Sequence, residues 1–147
     1  MTKVARFAVV ALAIGLVSAI AFAQGMEPMQ TVERGSHSNV DAPRQAVVRT
    51  RAEWAALWKT HDYDHPAPAI DFNRDMALAV FMGSRPTGGY TTEIVSVDAH
   101  DGKIAVGYRE TAPAPGTITV QVLTSPFHIV TVPKQAGAVT FEKRTSK

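Results

Sequence analysis

Seven consecutive residues, Met76-Ala77-Leu78-Ala79-Val80-Phe81-Met82, contain no polar side chain. A strand with one wet face alternates apolar and polar residues, whereas an unbroken apolar run marks a strand covered on both faces. The fold must therefore place this segment centrally, with structure on either side. Tyr90 to Asp98 and Lys103 to Glu110 read as a hairpin around Asp98-Ala99-His100-Asp101-Gly102. In its second arm Ile104, Val106 and Tyr108 alternate with Lys103, Ala105, Gly107 and Arg109. Thr117 to Leu123 alternates too, and is expected to turn Ile118, Val120 and Val122 inward. Gln45 to Thr50, Phe127 to Val132 and Ala138 to Phe141 bring the expectation to about seven strands.

One segment reads as a helix. Thr50-Arg51-Ala52-Glu53 has capping-box spacing, and Trp54, Leu57 and Trp58 fall at i, i+3 and i+4 on a helix running to about Lys59. Such an aromatic stripe is expected to dock the helix on the sheet rather than to form a ligand platform. Helix and strands are not interleaved as βαβ units. The predicted fold class is α+β, mainly β: an antiparallel sheet or sandwich of about seven strands with one N-terminal amphipathic helix.

The first 23 residues set the expected compartment. Lys3 and Arg6 precede an apolar run from Phe7 to Ala23, which ends in Ala21-Phe22-Ala23 before Gln24. This is the form of a cleaved signal peptide, and the run is at the short limit for a spanning helix. The predicted organisation is a signal peptide at 1–23, a flexible leader at 24–44, and a single domain at 45–147. The product is expected to be exported, periplasmic or extracellular, without a membrane anchor after cleavage. Lys3 and Arg6 supply two of the 15 basic side chains, so the exported part balances its 13 acidic ones. No basic stripe points to nucleic acid. The chain has no Cys, which excludes disulfides, a lipid-attachment thiol and a thiol nucleophile.

Gly83-Ser84-Arg85-Pro86-Thr87-Gly88-Gly89-Tyr90 joins two predicted strands. A turn needs only Gly88-Gly89; the Arg-Pro lead-in, the Thr and the aromatic exit are surplus to turning. That surplus suits contact with a protein partner, since a Pro-stiffened, Gly-kinked loop loses little entropy on docking. The expected contact residues are Arg85, Pro86, Thr87, Gly88, Gly89 and Tyr90, with Pro115, Gly116, Pro126 and Phe127 as a secondary rim. The plainer reading makes these loops fixtures of the fold. Ser84 and Ser125 lie outside Gly-x-Ser-x-Gly elbows, and the five His residues form no ordered triad, so no enzyme is expected. His61-Asp62-Tyr63-Asp64-His65 has metal-ligand composition, but nothing in its spacing fixes mutual distances. It reads as a solvated loop, and no metal or other cofactor is expected.

From about Gln45 to Phe141 the chain resembles the PrcB C-terminal domain family, named for a subunit of a bacterial surface protease complex. The resemblance rests on Trp58, Ile70-Asp71-Phe72, Met82 through Tyr90, Pro113-Ala114-Pro115-Gly116, Leu123-Thr124-Ser125-Pro126-Phe127 and Ile129-Val130-Thr131-Val132-Pro133. It implies a non-enzymatic accessory or stabilising partner of an envelope or secreted protease, and it brings no catalytic residues. The alternative comes from a second resemblance. Pro86-Thr87-Gly88-Gly89-Tyr90 is similar to the Pro-Thr-Thr-Gly-Phe/Tyr loop of chagasin-type inhibitors, which implies protease inhibition through Arg85 to Tyr90. Ser125-Pro126-Phe127 is faintly similar to their Arg-Pro-aromatic loop, without the Arg.

Overall fold

A computed structural model describes residues 25–145, so the predicted signal peptide at 1–23 lies outside the described residues. The described chain forms β1 (Gly25–Met26), β2 (Gln30–Gly35), β3 (Arg44–Val48), α1 (Arg51–His61), β4 (Asp75–Phe81), β5 (Thr91–His100), β6 (Lys103–Thr111), β7 (Phe127–Pro133) and β8 (Ala138–Lys143). Two four-stranded sheets result, ordered β1-β5-β6-β8 and β2-β7-β4-β3.

The apolar run is the middle of the molecule. Met76, Leu78 and Val80 pack with Ile94, Val97, Ile104 and Val106 from the other sheet, while Ala77, Ala79 and Phe81 pack with Trp54, Leu57 and Trp58 from α1. Period-2 alternation thus sends successive β4 side chains into two different cores, and a polar residue fits neither. The layers are helix, sheet, sheet.

The helix start follows its sequence signal. Thr50 Oγ1 accepts the Glu53 amide at 3.2 Å, and Glu53 accepts the amides of Thr50 and Arg49 at 3.1 and 2.7 Å. The Arg49 amide leads the causes that hold the Glu53 carboxyl below its ordinary range. Trp54, Leu57, Trp58 and His61 form the buried stripe, and the two indole N–H groups donate to the carbonyls of Pro68 and His65. The tryptophans therefore dock the helix, as expected.

Four expectations need correction. The helix is not N-terminal, because three strands precede it. The sandwich is not wholly antiparallel: β8 crosses from the middle sheet to the outer one and lies parallel to β6. Residues 25–44 are not a free leader. β2 pairs with β7 from Gln30↔Thr131 to Gly35↔Phe127, and Val40 is buried in the helix-side core. This segment lacks the apolar density of a strand because it covers a sheet edge, where one side of the backbone bonds and the other meets water.

The fourth correction is the largest. Thr117 to Leu123 forms no strand and turns its apolar residues outward: Ile118 is 99% exposed, Leu123 73% and Val120 71%. Its neighbours explain why. β6 already has β5 and β8 on its two sides, and β7 has β2 and β4, so neither strand flanking the segment offers a free edge. What remains is an irregular strap over the end of the sandwich.

Candidate functional site

The strap and the 85–90 loop hold each other. Arg85 N donates to Thr124 O at 2.7 Å, Thr124 N to Arg85 O at 2.9 Å, and Gly88 N to Val120 O at 2.9 Å. The Thr124 hydroxyl adds a bond to Thr87 O at 2.8 Å. Gly89 has φ +86°, and a side chain there would press on Pro113 as well. The loop is therefore tied to the strap at Arg85, Thr87 and Gly88 as well as entered through Pro86.

The predicted contact residues divide. Pro86 and Gly89 are exposed, whereas Arg85, Thr87, Gly88 and Tyr90 are half-buried. The Arg85 guanidinium lies over the Tyr90 ring, 5.9 Å from its centroid, so these two side chains are partly occupied with each other. Pro115 and Gly116 are exposed at the start of the strap. Pro126 and Phe127 are not rim residues: both are buried, with Phe127 2% exposed and stacked beside Phe81 in the helix-side core. The Ser-Pro-Phe element is the lead-in to β7, and the first residue of a central strand must face a core. The inhibitor reading thereby loses its second loop.

A cavity of about 390 Å³ opens next to the strap, lined by His37, Ser38, Asp41, His61, Asp64 and Leu123 among others. Its residues come from the β2–β3 connection, the end of α1, the start of the 83–90 loop and the end of the strap. No local spacing in the sequence links them, so sequence reasoning did not find it. His61 forms part of the wall. It is 1% exposed, with Nδ1 2.8 Å from Ser38 Oγ and Nε2 3.4 Å from Glu33 Oε2, and its ring meets Phe127 edge-on at 4.2 Å.

Serine, imidazole and carboxylate in this order invite a hydrolytic reading, but the surroundings favour a structural one. Ser38 Oγ also accepts the Val40 amide at 3.1 Å. The amides of Asn39, Ser84 and Ser125 are committed to the carbonyls of His61, Asp41 and Ser36, which leaves none of the three to stabilise an oxyanion. His61 fastens the chain after β2 to the end of the helix.

The His61–His65 segment separates likewise. His65 is exposed and bonds Asp62, while His61 turns into the core. Burial raises the Asp62 carboxyl, but the hydrogen bond and charge of His65 outweigh it and hold Asp62 below its ordinary value. Among the described residues no three His, Cys, Asp or Glu side chains converge as a metal site. The cavity wall holds the carboxylates of Asp41, Asp62 and Asp64 and the imidazoles of His37, His61 and His65, with Asp62 paired to His65, and it has no Lys or Arg.

Neither the curated proteins nor the solved structures contain a match to this chain. Residues 76–133, which run from β4 to β7 and include the loop and the strap, match the family model described as PrcB C-terminal; Trp58 and Ile70 to Phe72 lie outside the match.

Proposed function

We propose that this chain is an exported, non-enzymatic protein-binding domain that accompanies or stabilises an envelope or secreted protease. The observation that carries the reading is the apolar strap: Ile118, Val120 and Leu123 are largely exposed beside Pro86 and Gly89, on a frame fixed by backbone hydrogen bonds. Contiguous exposed apolar side chains on a stiff support are what a protein interface requires and what a free surface avoids. The match of residues 76–133 to the PrcB C-terminal model supports the resemblance from which a protease complex is proposed as the setting. Export rests on the sequence form of residues 1–23.

The test is a photo-crosslinking side chain at Ile118 in the full-length protein, expressed in its native envelope. A second crosslinker at Asp101, in the turn at the far end of the β5–β6 hairpin, serves as the control. Recovery of a protease from the Ile118 site and not from the Asp101 site is expected. Absence of any protease from the Ile118 site removes the reading.

A further inference from the structure

The strap has three properties that together specify an occupant. Its composition is that of a strand, Thr117-Ile118-Thr119-Val120-Gln121-Val122-Leu123, without a charge and rich in β-branched residues. Its backbone is underused: among the described residues the amides of Ile118, Thr119, Val120, Gln121 and Leu123 have no hydrogen-bond partner. Its last residue, Leu123, is also on the wall of the cavity.

Up to the turn that Val122 N closes on Val120 O, the free amides of Ile118 to Gln121 and their strand-forming side chains pair best with an extended backbone, which satisfies those amides and covers the apolar side chains at once. The cavity then adds a charge requirement. Asp41 has one carboxylate oxygen bound by Ser84 and the other free of side-chain bonds, and the Asp64 carboxylate has no hydrogen-bond partner among the described residues. These carboxylates favour a cation and disfavour an anion.

We infer that the strap receives an extended segment of the protein partner, with apolar side chains laid on Ile118, Val120 and Leu123 and a Lys or Arg side chain placed in the Asp41–Asp64 cavity. The inference rests on the protein-binding reading and names the chemistry of the partner. It requires neither a second copy of this chain nor a folded partner surface.

The experiment uses the purified full-length protein and six fluorescent hexapeptides. Three have the order Val-Thr-Val-Thr-Val-Xaa and three the reverse, with Lys, Glu or norleucine as Xaa. In one order, the Lys peptide is expected to bind about tenfold more tightly than the Glu peptide at low salt, with the difference shrinking as ionic strength rises. Asp41→Asn with Asp64→Asn is expected to remove that difference without changing the melting temperature. Ile118→Ser is expected to weaken all peptides of that order. Equal affinity for Lys and Glu, or no binding by any peptide, overturns the inference. So does a dimer that Ile118→Ser dissociates. A protease crosslinked at Ile118 alongside peptides that fail to bind would leave the protein-binding reading standing and this inference refuted.

Discussion

The buried ring of His128 on β7 accepts the Ile94 amide at 2.9 Å and so bonds one sheet directly to the other. Ile94 lies beside the irregularity in β5, where the register to β6 shifts between Ile94 and Ser96. Tyr108, opposite Ile94, turns its carbonyl to Arg144 on the β8 side, so the Ile94 amide faces the edge of β5 that β1 leaves uncovered, and the imidazole takes it. Nδ1 must be unprotonated to accept, so Nε2–H donates to Thr31 Oγ1 at 3.0 Å on β2.

Burial, reinforced by Arg34 and opposed by Glu93, lowers the His128 pKa below its ordinary 6.5. The native state therefore binds fewer protons than the unfolded chain. This contribution to stability is complete above pH 6.5 and is lost as pH falls from there toward the lowered native value. Denaturant midpoints measured from pH 8 to pH 5 should decline below about 6.5, and the decline should be shallower in His128→Gln.

The sequence places Phe127 on an exposed rim and Ile118 inside, the structure reverses the two, and they should behave oppositely. Phe127→Ala is expected to cost roughly 3–5 kcal/mol, because the ring fills the core beside His61 and Phe81. Ile118→Ala should change stability by no more than about 0.5 kcal/mol, since its side chain meets water. Urea unfolding of both variants checks the contrast.

Thr50→Ala removes the acceptor for the Glu53 amide and should cost about 1 kcal/mol, read from the same unfolding curves. Trp54→Ala, on the buried face of the same helix, should cost roughly 3–5 kcal/mol.

Thr92 is buried in β5, and its hydroxyl has no hydrogen-bond partner among the described residues. Thr92→Val keeps the shape and removes the unpaired group, so it should leave stability unchanged or raise it by about 1 kcal/mol. A lowered thermal midpoint would indicate that the hydroxyl is bonded after all.

Gly83 has φ +77°, and an added Cβ would sit 2.7 Å from the Asp41 carbonyl oxygen. Gly83→Ala combines backbone strain with a clash against main chain, and should cost roughly 1–2 kcal/mol or more by denaturant titration. The loss should extend to the cavity wall, because Ser84 N donates to that same carbonyl.

The sequence was informative where local chemistry decides the outcome. Capping at Thr50, the stripe from Trp54 to Trp58 and the double-sided burial of Met76 to Met82 each follow from short-range spacing. It misled where the outcome depends on which edges are already taken. Ile118, Val120 and Val122 alternate as well as Ile104, Val106 and Tyr108, yet only the latter have a neighbouring strand. Gln30 to Gly35 has few apolar residues and still pairs, because β7 offers it a vacant side. The 85–90 loop was visible by composition, whereas the cavity was not, since its walls come from four separate segments. Phe127 was misplaced because a dipeptide with Pro reads as a turn even when it opens a buried strand.

Thr31 and His128 are 97 residues apart, yet they belong to adjacent strands. Whether from a ribosome or through a pore, a chain delivered from its N-terminus must hold Gln30 to Gly35 unpaired until β7 emerges. During that interval β4 also lacks its second neighbour, so the unbroken apolar run from Met76 to Met82 waits beside an unfilled gap. Completion of this fold is governed by the arrival of its tail.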